Sequence, residues 1–285
     1  MATQIFYFTG TGNSLHVARE LQKRIPDATL VPVIGSLNND SLKATAETVG
    51  FVFPIYLMGL PAPMVEFIER FDSTPANYLF AFATRGGTFH YADVMLAKML
   101  KRRGKKLNAF FIATMVKNTP CGVAPKYLPG YKKMVERWPE AITNSQVKKL
   151  ELPLQQKLDE VSNCIKNKSR WFDERSILRT ILKRMTSMIL PSAKAMKTTI
   201  PYFADSTCTS CAMCRKVCPS GKVDMGGNCP VWRKDKPCYL CFACFNSCPV
   251  QAILIRNRYE IKEGRYIHPK VSVKEIGAQK KPGEK

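Results

Sequence analysis

Two cysteine-rich stretches decide the C-terminal part of the chain: CTSCAMCRKVCP at residues 208–219 and CYLCFACFNSCP at residues 238–249. Each reads C-x2-C-x2-C-x3-C-P, so the same spacing occurs twice. Cysteines at i, i+3 and i+6 on a tight loop can cap three metals of one cluster, whereas the fourth, followed by proline, is set apart. The repeat therefore predicts two multi-thiolate metal centres.

The segment that carries this repeat, about residues 201–256, resembles bacterial-type ferredoxins with two 4Fe–4S clusters. In that family the fourth cysteine of each run binds the other cluster. The resemblance implies a first cluster on Cys208, Cys211, Cys214 and Cys248, and a second cluster on Cys238, Cys241, Cys244 and Cys218.

Zinc sites and disulfides are the alternatives for these cysteines. Zinc also binds C-x2-C pairs, but a structural zinc ion needs two pairs, whereas each run offers a triplet and one distant cysteine. Disulfides are disfavoured because the N-terminus shows no secretory segment and a cytosolic protein keeps its thiols reduced. The spacing favours iron–sulfur clusters over both.

The length of the chain predicts two domains, because 285 residues is about twice the ~150 residues of a typical domain. The residues before the cysteine-rich segment must then bury a core of their own. The N-terminus lacks a basic stretch followed by an apolar one, so we expect no signal peptide. No apolar run reaches the ~18–20 residues that span a bilayer, and we expect a soluble cytoplasmic protein.

The charge of the chain is unusual, with 44 Lys and Arg against 22 Asp and Glu, a net charge of +22. Such a field favours anionic partners. We expect acidic redox proteins, and we disfavour nucleic acid because no nucleic-acid-binding module is present. The sequence does not indicate an oligomeric state. Only 3 histidines are present, which leaves little material for histidine-based chemistry.

Strand and helix patterns alternate through the first half of the chain. Alternation of this kind predicts an α/β fold, a doubly wound five-stranded parallel sheet. Ligands of such sheets bind at the carboxyl ends of the strands. The predicted strands are residues 3–8, 28–33, 49–53, 78–83 and 108–115, and the predicted helices are residues 13–24, 61–71, 89–103 and one around 154–165.

The loop after the first strand reads TGTGNS, residues 9–14, and opens a helix. Backbone N–H groups, hydroxyls and a helix N-terminus all offer donors to an anion, and no Lys or Arg lies within the loop. A dinucleotide-binding G-x-G-x-x-G would need glycine at Leu15, and a P-loop would need Gly-Lys-Ser/Thr, so neither motif is present. The loop alone is weak evidence, because a structural turn also uses glycine.

Residues 1–170 resemble flavodoxins, which bind FMN at this strand end. The resemblance implies that the phosphate loop comprises Thr9, Gly10, Thr11, Gly12, Asn13 and Ser14. It also implies that two further loops surround the flavin, with Pro54, Ile55 and Tyr56 in one and Thr84, Arg85, Gly86 and Gly87 in the other. Tyr56 is the candidate for packing on the flavin ring, although it could instead cover the end of its own strand.

Arg85 departs from the acidic surroundings that flavodoxins give their flavin. A positive charge near the ring should favour reduced, anionic flavin and raise its potential. The alternative is that the guanidinium points into solvent, as Arg head groups usually do.

The segments around the cysteine-rich domain (201–260) are basic. Residues 171–200 predict a basic helical connector with one apolar stripe, Ile177, Leu178, Ile181, Leu182, Met185 and Ile189. Such a helix could lie on a membrane, but packing against a neighbouring domain is favoured. The tail, residues 261–285, is expected to be partly disordered, chiefly over its last ten residues. Cys121, Cys164 and Cys229 are expected to be passive thiols.

The two resemblances together match fused flavodoxin–ferredoxin proteins, a class common in anaerobes. They imply an electron-transfer protein with two 4Fe–4S clusters and FMN, since clusters transfer single electrons and flavin holds one or two. No acid–base pair marks a substrate reaction, so enzymatic activity stays open. The alternatives are an FMN-dependent reductase of quinones or other small acceptors, with residues 116–131 over its pocket, and a redox-sensing or nucleic-acid-binding regulator.

Overall fold

A six-stranded parallel sheet forms the first half of the protein. The computed structural model describes residues 2–87, 89–119, 127, 129–174, 177–189 and 200–281. The strand order is β2-β1-β3-β4-β5-β6, and every neighbouring pair is parallel. The strands are β1 (Thr3–Tyr7), β2 (Ala28–Pro32), β3 (Thr48–Pro54), β4 (Tyr78–Arg85), β5 (Ala109–Thr114) and β6 (Trp171–Phe172).

The sheet confirms the predicted α/β architecture and adds one strand to it. The order of its first five strands is that of flavodoxin-like doubly wound folds, whose switch point lies between β1 and β3. Strands β3 and β4 are buried over nearly their whole length, as continuous apolar runs predict. Strand β6 was not predicted because it has two residues and no apolar run. It is fixed by Asp173, whose carboxylate accepts a hydrogen bond from the Ile112 N–H at 2.8 Å.

Helices cover both faces of the sheet where the apolar periodicity places them. The long helix α7 buries the predicted stripe of Leu154, Leu158, Val161 and Ile165. The helices of this half are α1 (Asn13–Arg24), α2 (Val33–Ser36), α3 (Ala62–Arg70), α4 (Ala92–Arg102), α5 (Tyr131–Glu136), α6 (Trp138–Ala141) and α7 (Asn144–Lys166).

The cysteine-rich segment forms a second, smaller core. Two antiparallel pairs, β7 with β10 and β8 with β9, flank two short helices. Tyr131 and Trp138, from α5 and α6, pack into this core and not into that of the sheet, so the expected boundary at residue 170 does not separate the two cores. The elements are β7 (Tyr202–Ala204), α9 (Met213–Val217), β8 (Val223–Gly226), β9 (Cys229–Trp232), α10 (Ala243–Asn246) and β10 (Ile253–Ile255).

The tail is folded over residues 261–281; residues 282–285, in the stretch expected to be disordered, lie outside the described residues. Helix α11 (Val273–Ala278) begins with a capping box between Ser272 and Glu275. Ile276 is fully buried. The sequence did not predict this burial, because Lys and Gly residues surround Ile276.

The tail crosses the first loop of the sheet and closes over it. Gln279 accepts a hydrogen bond from the Thr9 N–H at 3.2 Å and donates one to the Thr9 carbonyl at 2.9 Å. The His268 N–H donates to the Thr11 carbonyl at 2.8 Å, and Arg19 of α1 pairs with Glu275 of α11 at 2.6 Å. We call residues 266–279 the strap.

Helix α8 (Ile177–Ile189) contacts the protein through the face that carries Lys183, and its apolar face is exposed, which is the opposite of the expectation. Lys183 is buried against α4, where its Nζ lies 3.0 Å from the carboxylate of Asp93. The apolar stripe faces outward, so the expected packing of that stripe is wrong for its described side chains, Leu178, Ile181, Leu182 and Met185. The side chains of the other two predicted stripe residues, Ile177 and Ile189, lie outside the described residues.

Across the described ranges, no helix combines the length and the apolar character required to cross a bilayer.

Replacing Gln279 by Ala should destabilise the protein by about 2–4 kcal/mol, because it leaves the buried Thr9 N–H and carbonyl unpaired. Urea unfolding, followed by circular dichroism, measures this difference. Lys281→Ala, at an exposed position two residues beyond the strap, is the control and should leave the free energy of unfolding unchanged. Equal stability of the two variants would contradict the role assigned to the strap.

Candidate functional site

A cavity of about 500 Å³ lies at the carboxyl ends of β1, β3 and β4, beside the switch point of the sheet. Most of the residues predicted to hold a flavin line it. The exceptions are Gly12 and Gly87, which do not belong to the lining. The predicted residues that line the cavity are Thr9, Gly10, Thr11, Asn13, Ser14, Pro54, Ile55, Tyr56, Thr84, Arg85 and Gly86.

The first loop presents backbone donors to this cavity. Helix α1 begins at Asn13, so the N–H groups of its first turn have no acceptor within the helix. The Ser14 hydroxyl lies 2.8 Å from that of Thr84, which joins the loop to β4. The Asn13 side chain is engaged by the protein, since it donates to the Val116 carbonyl and accepts from the Tyr266 hydroxyl. The N–H groups of Thr9 and Gly12 are also engaged, by Gln279 and by the Thr9 hydroxyl. The other backbone N–H groups of the loop and the hydroxyls of Thr11 and Ser14 are the donors that face an anion.

The two glycines of this loop are required by the C-terminal half of the chain. A Cβ atom at Gly10 would lie 2.4 Å from the Tyr56 hydroxyl and 2.5 Å from the Cys241 carbonyl oxygen. At Gly12, φ is +98° and a Cβ atom would lie 2.9 Å from Cβ of Val271 in the strap. Gly12 therefore makes room for the strap, whereas the sequence suggested that it approaches a ligand.

Among the described residues, three cationic side chains line the cavity, and only Arg85 was predicted as a flavin contact. The guanidinium of Arg85 does not point into solvent, because it forms a bidentate ion pair with the carboxylate of Glu174. Lys117 lies against Gly86 and belongs to the segment 116–131 that the sequence placed over a reductase pocket, whereas Arg137, which follows α5, was not expected at the site. The signal for Lys117 was its place directly after β5, where ligand-binding loops of such sheets lie. No Asp or Glu is among the described residues of the lining, which suits an anionic ligand.

The eight cysteines of the repeat divide between two small cavities in the second core. One is lined by Cys208, Cys211, Cys214 and Cys248, and the other by Cys218, Cys238, Cys241 and Cys244. This is the crossed grouping that the spacing suggested, with the fourth cysteine of each run beside the other triplet.

Each cysteine cavity offers four sulfurs, a triplet from one run and the fourth cysteine of the other. A structural zinc ion usually takes its thiolates as two C-x2-C pairs. The donor set here suits a multinuclear cluster, with metal and sulfide between the thiolates.

Burial makes three of these cysteines, Cys214, Cys241 and Cys244, poor thiolates unless a cation binds them. It raises the pKa of Cys214 to about 11, and it also raises the pKa values of Cys241 and Cys244 in the other cavity. Free thiols there would be protonated at neutral pH. A metal cluster would supply the positive charge that keeps them ionised.

The second cysteine cavity adjoins the large cavity at the sheet. Phe242 lines both of them, and the neighbouring Leu240 also lines the large one. The Asn118 side-chain amide donates to the Cys241 carbonyl at 3.0 Å. The hydroxyl of Tyr56, which also lines the cavity, is buried at the same point, beside Gly10.

The remaining cysteines lie away from these cavities where the structure describes them. Cys164 lies on α7, with its sulfur 3.9 Å from the Tyr78 hydroxyl. Cys229 is exposed on β9 and lines neither cysteine cavity. No disulfide joins any of the ten described cysteines, and Cys121 lies outside the described residues.

Two of the three histidines, His16 of α1 and His268 of the strap, are in contact. The rings of His16 and His268 stack with centroids 4.2 Å apart, and His16 Nε2 lies 3.2 Å from Glu151, which also pairs with Lys270 at 2.6 Å. Burial lowers the pKa of His16, and burial with the neighbouring His16 lowers that of His268 to about 3. Both rings are therefore neutral at pH 7.

Comparisons with known proteins found no match. No protein-family model matches the sequence, and no curated protein matches it. A function must therefore be argued from the sheet cavity, the two cysteine cavities and the contact between them.

The neutral His268 predicts a loss of stability in acid. Its pKa is depressed in the folded state, so the unfolded chain binds a proton more readily between about pH 6.5 and about pH 3, and stability falls as the pH is lowered through this window. The slope for one proton is about 1.4 kcal/mol per pH unit. His268→Phe, which keeps a ring at the stack, should remove that part of the slope.

Urea unfolding of both proteins at about pH 7, 6 and 5 measures the difference. A residual slope in His268→Phe is expected from His90, whose pKa burial lowers to about 4. Identical slopes for the two proteins would contradict the assignment to His268.

Proposed function

We propose that this protein transfers electrons between two 4Fe–4S clusters and a bound FMN. The observation that carries the proposal is the shared wall, in which Phe242 lines both the sheet cavity and the second cysteine cavity. Resemblance of the two halves to flavodoxins and to two-cluster ferredoxins supports the same cofactors. Clusters supply one-electron chemistry and FMN supplies one- or two-electron chemistry when they are bound.

The residues around the sheet cavity fit the parts of FMN. Backbone N–H groups of the first loop and the hydroxyls of Thr11 and Ser14 would hold the phosphate. Pro54, Ile55 and the Thr84–Gly86 loop would border the ring system. The absence of carboxylates among the described lining residues, and the presence of Lys117 and Arg137, add to the preference for an anionic ligand.

The cysteine cavities fit clusters by donor type, number and spacing. Each offers four sulfurs, and none of them is paired in a disulfide. Cys241 and Cys244 are buried, whereas Cys211 of the first set is exposed. The second set shares a wall residue with the sheet cavity and the first set does not, so the sites follow one another as first set, second set and sheet cavity.

The surface at the first cysteine set suits an acidic redox partner. Arg215 and Lys216, which follow Cys214 on α9, are exposed. Opposite charges on a partner would speed encounter and fix its orientation, and raising the salt concentration would weaken both effects.

A reductase of a small acceptor is the second candidate, and the cations of the sheet cavity favour it. Lys117, Arg137 and the neighbouring Trp138 line the cavity from segments outside the first loop. Such a wall could bind an anionic or aromatic acceptor beside the flavin. Steady turnover with soluble quinones would favour this candidate, and exchange with acidic ferredoxins alone would favour electron transfer.

Anaerobic purification should yield about eight iron, about eight sulfide and one flavin per chain. The crossed grouping adds a sharper expectation, because each cluster has its own ligands. Cys218→Ser and Cys238→Ser should remove the same electron paramagnetic resonance signal of the reduced protein. Cys248→Ser and Cys208→Ser should remove the other signal.

Cys229→Ser is the matched control and should keep both signals, since Cys229 lines neither cavity. Loss of the second signal should also slow flavin reduction by an external one-electron donor, because the second cysteine set adjoins the sheet cavity. A colourless protein with zinc in place of iron would end the proposal. Pairing of signals within each run, without crossing, would contradict the ligand sets.

The Arg85–Glu174 pair predicts opposite shifts of the flavin potential. Glu174→Gln leaves the Arg85 charge uncompensated at the cavity and should raise the potential, whereas Arg85→Gln should lower it. A shift of ~30 mV is expected, which for a two-electron couple corresponds to ~1.4 kcal/mol. Redox titration measures it, with Glu160→Gln on α7 as an exposed control of equal charge change. Unchanged potentials in both Arg85 and Glu174 variants would refute this role.

A further inference from the structure

Helix α8 exposes an apolar stripe and is held that way by a buried ion pair. The exposed side chains lie at positions spaced three and four residues apart, which places them on one face. Their exposed fractions are 78% for Leu178, 50% for Ile181, 52% for Leu182, 56% for Met185 and 80% for Met188. No other described element carries as many large exposed apolar side chains.

The opposite face of α8 makes the contact with the protein. Lys183 is 2% exposed, and its ammonium group lies 3.0 Å from Asp93 of α4. Near the start of the helix, Arg179 pairs with Glu174 at 3.0 Å. Reversal of the helix would bury the apolar stripe but would also break both ion pairs, so the outward orientation of the stripe is fixed by charge.

The surroundings of the stripe are cationic. The sequence of α8 contains three basic residues and no acidic one, and Asp93, the only acidic residue of α4, is paired with Lys183. A groove of about 380 Å³ beside α8 is lined by Ser187 of that helix and, among charged residues, by Lys98, Arg102 and Arg103 of the α4 region against one carboxylate, Glu69. The stripe thus lies next to a concentration of positive charge.

We propose that α8 binds the surface of an anionic lipid bilayer, with its apolar stripe in the interface and the basic residues of α4 and α8 against the lipid head groups. An apolar face beside Lys and Arg is the arrangement of helices that lie in the membrane plane. Anionic lipid attracts clustered basic residues within a Debye length of the surface. The proposal does not depend on the cofactors.

A second copy of the chain is a less suitable occupant of this face. Pairing two α8 stripes would bring Arg179 and Arg184 of each copy together, in a protein that carries a net charge of +22. Like charges at close range oppose such a dimer. An anionic bilayer covers the same apolar side chains and neutralises the charges as well.

Co-sedimentation of the full-length, anaerobically purified protein with lipid vesicles tests the proposal. The protein should pellet with vesicles of mixed phosphatidylglycerol and phosphatidylcholine, and far less with phosphatidylcholine alone. The double variant Leu182→Glu/Met185→Glu should bind the mixed vesicles at least ~tenfold more weakly, because it removes two inserted side chains and adds two negative charges. Both positions are about half exposed, so the fold should be kept, which circular dichroism checks.

The matched control is Leu152→Glu/Val231→Glu, which makes the same charge change at exposed apolar positions on α7 and β9. It should bind the mixed vesicles within ~twofold of the unaltered protein if α8 is the contact. Equal weakening by the two double variants would overturn the proposal in favour of general charge attraction. Failure of the unaltered protein to bind would overturn it, as would a dimer in light scattering that only the α8 variant dissociates.

Discussion

The close approach of Gly10 to the Cys241 carbonyl is the constraint on which the rest of the structure depends. Any side chain at residue 10 would overlap that oxygen and the Tyr56 hydroxyl. The approach lets Leu240 and Phe242 serve as a wall of the sheet cavity. Without it, the cavity would lose that side, and the second cysteine set would no longer adjoin it. The two halves therefore form one site, although each has its own core.

The strap stabilises this approach from the opposite side. It bonds to the first loop through Gln279 and His268, and Tyr266 donates a hydrogen bond to each of the two halves. Its N–H donates to Asn246 of the cysteine segment, and its hydroxyl donates to Asn13 of the first loop. The same residues that position the loop thus fix the cysteine segment against the sheet. Buried polar contacts of this kind specify one relative arrangement of two cores.

The sequence could predict what depends on periodicity and spacing. The five long strands, helix α1 and the apolar stripe of α7 follow from local patterns, and the cysteine grouping follows from a repeat. The rest depends on contacts between distant segments. Gly12 lies in a glycine-rich loop typical of ligand binding, but it makes room for Val271. Helix α8 has an ordinary amphipathic pattern, and the Lys183–Asp93 pair decides which face contacts the protein. Neither partner can be read from the sequence around the residue itself.

The position of the strap has a consequence for the order in which the protein is made. The loop at residues 9–14 leaves the ribosome long before Tyr266 and Gln279, which contact it across sequence separations of 253 and 270 residues. The sheet can form early, since its five long strands end at residue 114. The cavity beside it acquires its full wall only after the cysteine loop and the strap have also been synthesised. A ligand that needs the closed cavity could therefore be enclosed only after that point.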